Sequence, residues 1–422
     1  MKLIRFEFDG GDARALARQI RALQPQLGEV SEAVTEVIAA VEAEGDAALL
    51  RLERELGAVE PEQIAVPPDE LRAAPKAVDE AVAQALRIAV ANVEQAASLY
   101  GSAAIATSSG EAVEVGEVPV EAAGAYVPGG GGAYPTTAVM CCVPAREVGV
   151  ERIAVASPPG PDGKVNPLVL AACALAGATD VYAIGGAQAV AALALGTESI
   201  SPVDLVVGPG NRYVQEAKRQ LVGRVGIDGI AGPSELMVIV DEDTRLDWIA
   251  LDLCAQAEHG DDGLLVACAV EPDVLSGLAD RVERLAAERD EIGDAPFALV
   301  RVGSTREAAA LADALAPEHL QLACGGAEAL AASVRFAGCV LVGQLSATAF
   351  GDYAVGSNHV LPTGGAGRFS GPLGPSSFLR KTSRVELTRS GAQGLAPTVA
   401  TLARAEGFPL HAESVEARIE ES

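Results

Sequence analysis

The sequence predicts an α/β protein with parallel sheets, preceded by a helical N-terminal segment. From about residue 121 onward, short apolar β-type runs alternate with helical stretches, which is typical of parallel strands joined by crossover helices. Hydrophobic residues make up 49% of the 422 residues, enough for more than one core. Glycine clusters follow several of the expected strands, where open α/β sheets bind their ligands.

The first hundred residues are predicted to be helical. Apolar residues recur at steps of three and four behind a possible cap at Ser31, and again over residues 77–98. A turn-rich stretch from Pro61 to Pro75 separates these two helical regions.

The alternation then predicts two α/β units of similar size. Strands are expected at Ala123–Val127, Arg152–Ala156, Asp180–Ile184, Asp204–Val207, Met237–Val240, Leu264–Ala269, Ala298–Val302 and Cys339–Val342. Helices of the first unit are expected at 137–148, 166–177, 187–195 and 211–222. Residues 351–377 are rich in glycine, proline and serine and are predicted to form a functional loop, and the chain from Arg380 is predicted to form a small module.

The charge of the chain excludes some classes of partner. Its 58 acidic and 31 basic residues give a net charge of -27, which repels nucleic acid and anionic membranes. Only five of the basic residues are lysines, and a surface of this kind resembles proteins of high-salt cytoplasm. We therefore expect part of the stability to depend on salt.

The sequence also predicts a cytoplasmic protein with free thiols. The N-terminus lacks the apolar region of a signal peptide, and the longest apolar stretch, Leu168 to Ala178, is too short to span a bilayer. The seven cysteines show no C-x-x-C spacing and mostly have apolar neighbours, which favours buried free thiols over metal ligands or disulfides.

The glycine clusters suggest a nucleotide site of unusual type. They lie at Tyr126–Gly132, Ile184–Gly186 and Gly208–Asn211, where glycine allows the backbone to approach a phosphate or a ribose. Neither G-x-G-x-x-G nor the P-loop pattern occurs, so the usual dinucleotide fingerprint is missing. Glycine as a simple turn former is the alternative at each position.

Only four histidines are available for catalysis or metal binding. Gln256 and His259 lie three residues apart near a predicted helix end, so both side chains share one face and are candidate cation ligands. A histidine that only stabilises the helix C-terminus is the alternative.

The other three histidines each have a carboxylate close by in the sequence. Glu318-His319 is an adjacent acid/base pair that can act together only on a loop, Asp352 and His359 share a glycine-flanked loop, and Glu406 precedes His411 in the C-terminal module. A solvated surface pair remains the alternative in each case.

Eight short motifs, in this order, resemble the histidinol dehydrogenase family over nearly the whole chain. They are Tyr126-Val-Pro-Gly-Gly130, Gly185-Gly-Ala-Gln188, Gly208-Pro-Gly-Asn211, Ala231-Gly-Pro-Ser234-Glu235, Ala255-Gln256-Ala-Glu-His259, Pro317-Glu318-His319-Leu320, Gly351-Asp352-Tyr353 and Asn358-His359-Val-Leu-Pro-Thr363. The resemblance implies NAD-linked oxidation of L-histidinol, through L-histidinal, to L-histidine in the last two steps of histidine biosynthesis.

The resemblance also implies the site residues. One Zn²⁺ per subunit is expected on Gln256, His259 and Asp352 of one subunit and His411 of the other, which requires a homodimer with shared active sites. Glu318 and His319 match the catalytic water-activating carboxylate and general base. Substrate contacts are expected from Ser234, Glu318, His319, His359 and Glu406 together with the four metal ligands, and NAD contacts from Tyr126, Gln188 and Asn211.

The implied architecture is two Rossmann-like domains that lack the glycine fingerprint. Residues 1–20 form an N-terminal segment, 21–124 plus 233–376 the catalytic domain, 125–232 the NAD domain, and 377–422 a dimerisation module shared across the dimer. Two rival interpretations remain open: a zinc hydrolase that uses Glu318 as its base, and a non-enzymatic relative that binds metal or nucleotide.

Overall fold

The structure, a computed structural model, describes residues 2–24, 30–57, 59, 61, 63–98, 111–129 and 132–420. Gly130 and Gly131 of the first glycine cluster lie outside these residues. In the described part of the chain, no helix combines the length and the apolar character that crossing a membrane requires.

The described residues form thirteen strands in three sheets. In chain order the strands are β1 (Lys2–Phe8), β2 (Glu111–Pro119), β3 (Ala122–Tyr126), β4 (Arg152–Ser157), β5 (Asp180–Ala183), β6 (Leu205–Val207), β7 (Gly226–Ile227), β8 (Glu235–Ile239), β9 (Leu264–Ala269), β10 (Pro296–Val302), β11 (His319–Leu322), β12 (Cys339–Val342) and β13 (Leu379–Leu387).

Sixteen α-helices connect and cover these strands in the same residues. They are α1 (Ala13–Arg21), α2 (Ser31–Glu44), α3 (Asp46–Leu56), α4 (Pro68–Ala73), α5 (Glu80–Ala97), α6 (Pro135–Glu147), α7 (Pro167–Ala176), α8 (Gly186–Leu195), α9 (Arg212–Leu221), α10 (Leu246–Ala257), α11 (Pro272–Glu288), α12 (Thr305–Leu315), α13 (Ala327–Ala331), α14 (Thr348–Tyr353), α15 (Arg389–Ala405) and α16 (Pro409–Glu420).

Two of the three sheets are parallel, as the alternation of strands and helices predicts. A six-stranded sheet has the order β1-β10-β9-β8-β11-β12, and a five-stranded sheet has the order β5-β4-β3-β6-β7. Every pairing within these two sheets is parallel. The α/β fold class with parallel sheets is therefore confirmed.

The predicted strands correspond to β3–β6, β8–β10 and β12, whereas β1, β2, β7, β11 and β13 were not predicted. The prediction of helix throughout the first hundred residues is wrong for β1, which pairs along its whole length with β10 at the sheet edge. Because an edge strand has one neighbour, only Phe8 of β1 is buried, and the sequence carries a weak signal.

Helices α2 and α3 pack on the five-stranded sheet rather than standing apart from it. Val34, Val41, Leu49 and Leu52 share a buried core with residues of β4, β6, α8 and α9. The six-stranded sheet has one apolar core on each face. All seven cysteines are free and six of them are buried, which confirms the thiol prediction.

A second compact unit comprises residues 99–120 and 379–422. Its described part contains the antiparallel ribbon β2–β13 and the helix pair α15–α16, which packs around Ala400, Ala403 and Ala412. The domain boundaries given above remain a prediction.

Candidate active site

The candidate catalytic pair, Glu318 and His319, lies at the amino end of strand β11 in the six-stranded sheet. His319 is the first residue of β11, and Glu318 immediately precedes it. Ser234 and Glu235 occupy the same positions at β8, which pairs with β11 so that His319 lies beside Leu236. Ligands of open α/β sheets usually bind beyond the carboxyl ends of strands, so this is the opposite edge.

His319 is held between two carboxylates. Its Nε2 lies 3.1 Å from Asp352 Oδ1 and its Nδ1 lies 3.6 Å from Glu318 Oε2, while the side chain is almost fully buried. Burial alone lowers the pKa of an imidazole, but the hydrogen bonds and negative charges of Asp352 and Glu318 hold the pKa of His319 well above its usual value. Nδ1 has no hydrogen-bond partner among the described residues and is the open end of the ring.

The side chains of Glu318 and His319 lie close together although the two residues are neighbours in the sequence. Helix α12 ends at Ala316 in a left-handed conformation with φ 48°, and Pro317 follows, so Glu318 precedes the regular strand. The Glu318 carboxylate is fixed by the Glu235 N–H, which donates to Oε2 at 2.7 Å. The turn thus meets the condition that adjacent residues converge only outside a regular strand.

A buried ion pair behind Glu318 was missed by the sequence reasoning. Glu235 is 1% exposed and accepts from Arg21 Nη1 at 2.6 Å, from Gly364 N at 3.0 Å and from Glu318 N at 3.3 Å. Glu235 and Glu318 therefore accept each other's backbone N–H. The sequence does contain a signal for this ion pair. Glu235 directly precedes the apolar run Leu236–Ile239, and a buried carboxylate requires a partner.

His359 links this edge to the five-stranded sheet. Its Nδ1 lies 2.7 Å from the Asp352 carbonyl oxygen, so Nδ1 carries the proton, and Nε2 accepts from the Thr137 hydroxyl at 3.0 Å. Burial lowers the pKa of His359, which keeps the ring neutral. Thr137 lies in the first turn of α6, just after β3, and was not among the predicted site residues.

Gln256 lies on the same face as His319, one layer above the sheet. Asp252 of α10 accepts from Gln321 Nε2 at 2.7 Å, which pins this helix over β11. From Asp252 to Gln256 is one helical turn of about 6 Å, and from Gln321 back to His319 is about 6.6 Å along the strand. Since a crossover helix runs antiparallel to its strands, these distances predict that Gln256 lies near the level of His319, whose Nε2 contacts Asp352.

These donors fit a zinc ion that keeps open coordination positions. An amide oxygen from Gln256, a carboxylate from Asp352 and an imidazole from His259 are chemically suitable, and His259 is exposed just beyond the end of α10. The described residues contain no cluster of three or more histidine, cysteine, aspartate or glutamate side chains that could hold a metal. Of the zinc ligands predicted from one subunit, only His259 and Asp352 belong to these four residue types, because the third, Gln256, is an amide.

The predicted NAD residues lie at the carboxyl edge of the five-stranded sheet. The Tyr126 hydroxyl accepts from Gly186 N at 3.1 Å, and burial raises the pKa of Tyr126 to about 12. Gln188 Nε2 donates to Glu53 at 2.9 Å, and Asn211, which is exposed, caps α9 by accepting from Tyr213 N and Val214 N. Tyr126 and Asn211 therefore hold backbone groups of this edge, and Gln188 contacts the Glu53 carboxylate, which in turn accepts from Gly185 N.

Glu406 and His411 lie in the second unit, at the end of α15 and near the start of α16. Both are exposed, and the His411 ring lies 5.4 Å from that of Phe408. The described residues of the first unit thus bring together Glu318, His319, Asp352 and His359 by direct contact.

An α/β fold with an acid/base pair on one parallel sheet and glycine turns at the carboxyl edge of a second suits an oxidoreductase that binds a nucleotide cofactor. The family model described as histidinol dehydrogenase matches residues 21–419. The chain belongs to the histidinol dehydrogenase family.

Individual relatives give the same result. The chain is 41% identical to histidinol dehydrogenase of Rhodospirillum rubrum, with 99% of this chain and 98% of the relative aligned. It is 42% identical to histidinol dehydrogenase of a Synechococcus species, over 91% of each chain. The crystal structure of histidinol dehydrogenase from Elizabethkingia anophelis is similar with a TM-score of 0.90 at 29% identity, covering 100% of this chain and 98% of the other.

Proposed function

We propose that this protein catalyses the zinc-dependent, NAD-linked oxidation of L-histidinol through L-histidinal to L-histidine. The observation that carries the proposal is one continuous chain of polar contacts between the two sheets. It runs from Thr137 through His359 and Asp352 to His319 and Glu318, with hydrogen bonds of 3.0, 2.7 and 3.1 Å and a last contact of 3.6 Å.

In the first step, His319 takes the alcohol proton as hydride leaves the carbon. The imidazole has to be neutral for this step, and because Asp352 and Glu318 raise its pKa, the neutral fraction of this base and the rate of the step increase with rising pH. Nδ1, which has no hydrogen-bond partner among the described residues, is the atom that accepts the proton. In the second step, Glu318 takes a proton from the water that adds to the aldehyde. The Glu235 N–H fixes the orientation of this carboxylate, so the base is oriented before the substrate binds.

When bound, NAD⁺ would supply the hydride acceptor for each step. Gln256, His259, Asp352 and His411 of a second copy would hold a zinc ion, which would supply a Lewis acid that positions the substrate. Ser234 and neutral His359 orient the bound substrate. Ser234 precedes Glu235, whose N–H holds Glu318, and His359 contacts the Asp352 carbonyl while the Asp352 carboxylate contacts His319. The buried position of His319 limits the access of water to the reactive aldehyde.

NADH absorbance with purified protein and L-histidinol tests the proposal. We expect two NADH per histidinol, best measured in high KCl because of the net charge of -27. A chelator should abolish turnover and Zn²⁺ should restore it, while metal analysis follows the loss independently. Well-folded, zinc-loaded protein without turnover would contradict the proposal. Hydrolysis of an ester or amide without NAD⁺ would favour the zinc hydrolase, and ligand binding with neither reaction the non-enzymatic relative.

We also propose a homodimer in which each active site takes His411 and Glu406 from the other copy. In support, apolar side chains that are more than half exposed flank Asp352, namely Phe350, Tyr353 and Val355. The second unit, described by itself, exposes Leu402, Phe408 and Leu410 close to Glu406 and His411. Apolar surface of this kind favours burial against another chain.

Complementation tests the shared site. His411→Asn should lose zinc and Glu318→Gln should lose aldehyde oxidation, so each homodimer is inactive. Mixed subunits should recover activity, because one site per heterodimer then contains native Glu318 and native His411. Heterodimers that form, as shown by two different affinity tags, but stay inactive would exclude a shared site.

A further inference from the structure

Helix α9 carries two buried polar side chains that no step of the reaction uses. Gln215 is 5% exposed and Lys218 is 1% exposed, and their spacing of three residues puts them on one face. This face lies between two segments: the cofactor loop, residues 208–211, and the substrate segment, residues 228–234, which ends at Ser234.

Lys218 and Asp228 hold both backbone polar groups of Gly208, in the cofactor loop. Lys218 Nζ donates to the Gly208 carbonyl at 3.0 Å, and Gly208 N donates to Asp228 Oδ2 at 2.8 Å. Lys218 also forms an ion pair with Asp228, which is nearly as buried. Gly208 has φ 109°, and a Cβ atom there would lie 2.3 Å from the Tyr126 carbonyl oxygen, so no alternative residue fits.

Gln215 makes a second bridge one turn earlier. Its Oε1 accepts from Ala231 N of the substrate segment at 2.8 Å, and its Nε2 donates to Gly210 O of the cofactor loop at 3.4 Å. The amide therefore uses its acceptor on one segment and its donor on the other.

The substrate segment continues directly to the catalytic carboxylate. Gly232 N donates to Thr363 Oγ1, and Glu235 N, one residue beyond Ser234, donates to Glu318 Oε2 at 2.7 Å. Eight consecutive residues thus connect Asp228, which holds the cofactor loop, to the residue that holds Glu318.

Stability alone does not account for this arrangement. A buried ion pair contributes little more than apolar residues of the same size, because the loss of hydration offsets the attraction. Directed hydrogen bonds to peptide groups of two segments instead fix their relative position to within the tolerance of a hydrogen bond.

We propose that Gln215 and Lys218 are positioning residues that hold the cofactor loop and the substrate segment in one fixed arrangement, so that NAD and substrate sites are set together. The proposal rests on the proposed function, which assigns Asn211 to NAD and Ser234 to histidinol. Loss of either bridge loosens both sites, whereas loss of an ordinary contact of α9 loosens neither.

The test compares Gln215→Leu with Gln220→Leu on the same helix. Gln220 also makes bridging hydrogen bonds, accepting from Thr35 Oγ1 at 2.9 Å and donating to Ser31 O at 2.9 Å. Its partners belong to α2 and, through Glu216, to α9 itself, and none belongs to the cofactor loop or the substrate segment. We expect Gln215→Leu to raise KM for NAD⁺ and for histidinol about tenfold each, with a smaller change in kcat. Gln220→Leu should leave both KM values within about twofold. Equal KM values in folded Gln215→Leu and wild-type protein would overturn the proposal.

Amide hydrogen exchange separates failure of this inference from failure of the proposed function. Gln215→Leu should speed exchange at residues 208–211 and 228–234 together, and Gln220→Leu at neither, whether or not the wild type oxidises histidinol. Unchanged exchange in both segments rejects the positioning role. Where Gln215→Leu does not fold, Gln215→Glu replaces it. The carboxylate keeps the acceptor for Ala231 N but loses the donor for Gly210 O, so KM for NAD⁺ should rise more than KM for histidinol, and equal changes would contradict the assignment.

Discussion

The two parallel sheets build their functional edges in opposite ways. The six-stranded sheet uses the amino ends of β8 and β11, and its edge consists of charged and hydrogen-bonded side chains around His319. The five-stranded sheet uses the carboxyl ends of β3 and β6, and its edge consists of peptide groups held from behind by Glu53, Lys218 and Asp228. Thr137 and His359 join the two edges.

The two edges therefore have different roles: one carries the groups for proton transfer, and the other provides a backbone of fixed form. Proton transfer needs ionisable groups with shifted pKa values, and these occur where Asp352 and Glu318 surround His319. A cofactor surface needs a backbone of fixed form, and the buried carboxylates and the lysine of the five-stranded sheet are directed at backbone groups. Substitutions should therefore affect reaction steps at one edge, and binding and folding at the other.

The largest effect is expected from His319→Asn. Removal of the general base should lower kcat by about 10²–10⁴ while KM changes little. Steady-state NADH formation measures the loss, and an unchanged melting temperature and zinc content serve as controls. A loss below tenfold in folded protein would show that His319 is not the base.

The functional edge of the five-stranded sheet is disrupted by adding a methyl group at Gly208 rather than by removing a side chain. Gly208→Ala should lower the free energy of unfolding by about 3 kcal/mol, because a left-handed alanine is strained and its Cβ meets the Tyr126 carbonyl oxygen. Gly223→Ala is the matched control, since Gly223 has φ 94° and open space around it, and it should lose about 1 kcal/mol. Chemical denaturation measures both, and equal losses would argue against the close contact.

The junction between the edges is tested by Thr137→Val. His359 Nε2 would lose its hydroxyl donor in a buried place, and KM for histidinol should rise about tenfold with a smaller effect on kcat. The neighbouring Thr136→Val removes the same hydroxyl one position away in α6 and should change KM less than twofold by the same measure. If the two variants behave alike, the Thr137–His359 contact has no role in binding.

The smallest expected effect concerns the buried carboxylate of Glu53. Its Oε1 accepts from Gly185 N at 2.7 Å and from Gln188 at 2.9 Å, yet burial raises its pKa above the usual value. The folded state thus keeps a proton that the unfolded state releases, so wild-type stability falls as pH rises through this window.

Glu53→Gln retains an acceptor oxygen for both donors and cannot ionise. It should exceed wild-type stability by about 1 kcal/mol near neutral pH and match it below the usual glutamate pKa. Melting temperatures across pH measure the difference. A constant difference at all pH values would contradict the titration of Glu53.

Much of the fold followed from the sequence because apolar runs and helical periods are local. The strands β3–β6, β8–β10 and β12 and the helices α6–α9 agree with the predictions to within a few residues. Strands β1, β2, β7, β11 and β13 were not predicted. Strand β1 is a half-exposed edge, and β11 contains only two apolar residues, Leu320 and Leu322, so neither has a continuous apolar run. The prediction that Ser31 caps a helix was also wrong, because α2 starts at Ser31 and no side chain caps it.

The sequence alone determined which side chains are available for the reaction. With four histidines, the residue types and their order along the chain were enough to resemble one enzyme family and to name Glu318, His319, Asp352 and His359. Tertiary structure decided how these groups meet: the turn at Ala316 that lets neighbours converge, the Arg21–Glu235 pair behind Glu318, and the α9 bridges. The turn is a matter of backbone geometry, the Arg21–Glu235 pair joins residues 214 positions apart, and the α9 bridges join polar groups 5 to 16 positions apart. None of these leaves a periodic signal in the sequence.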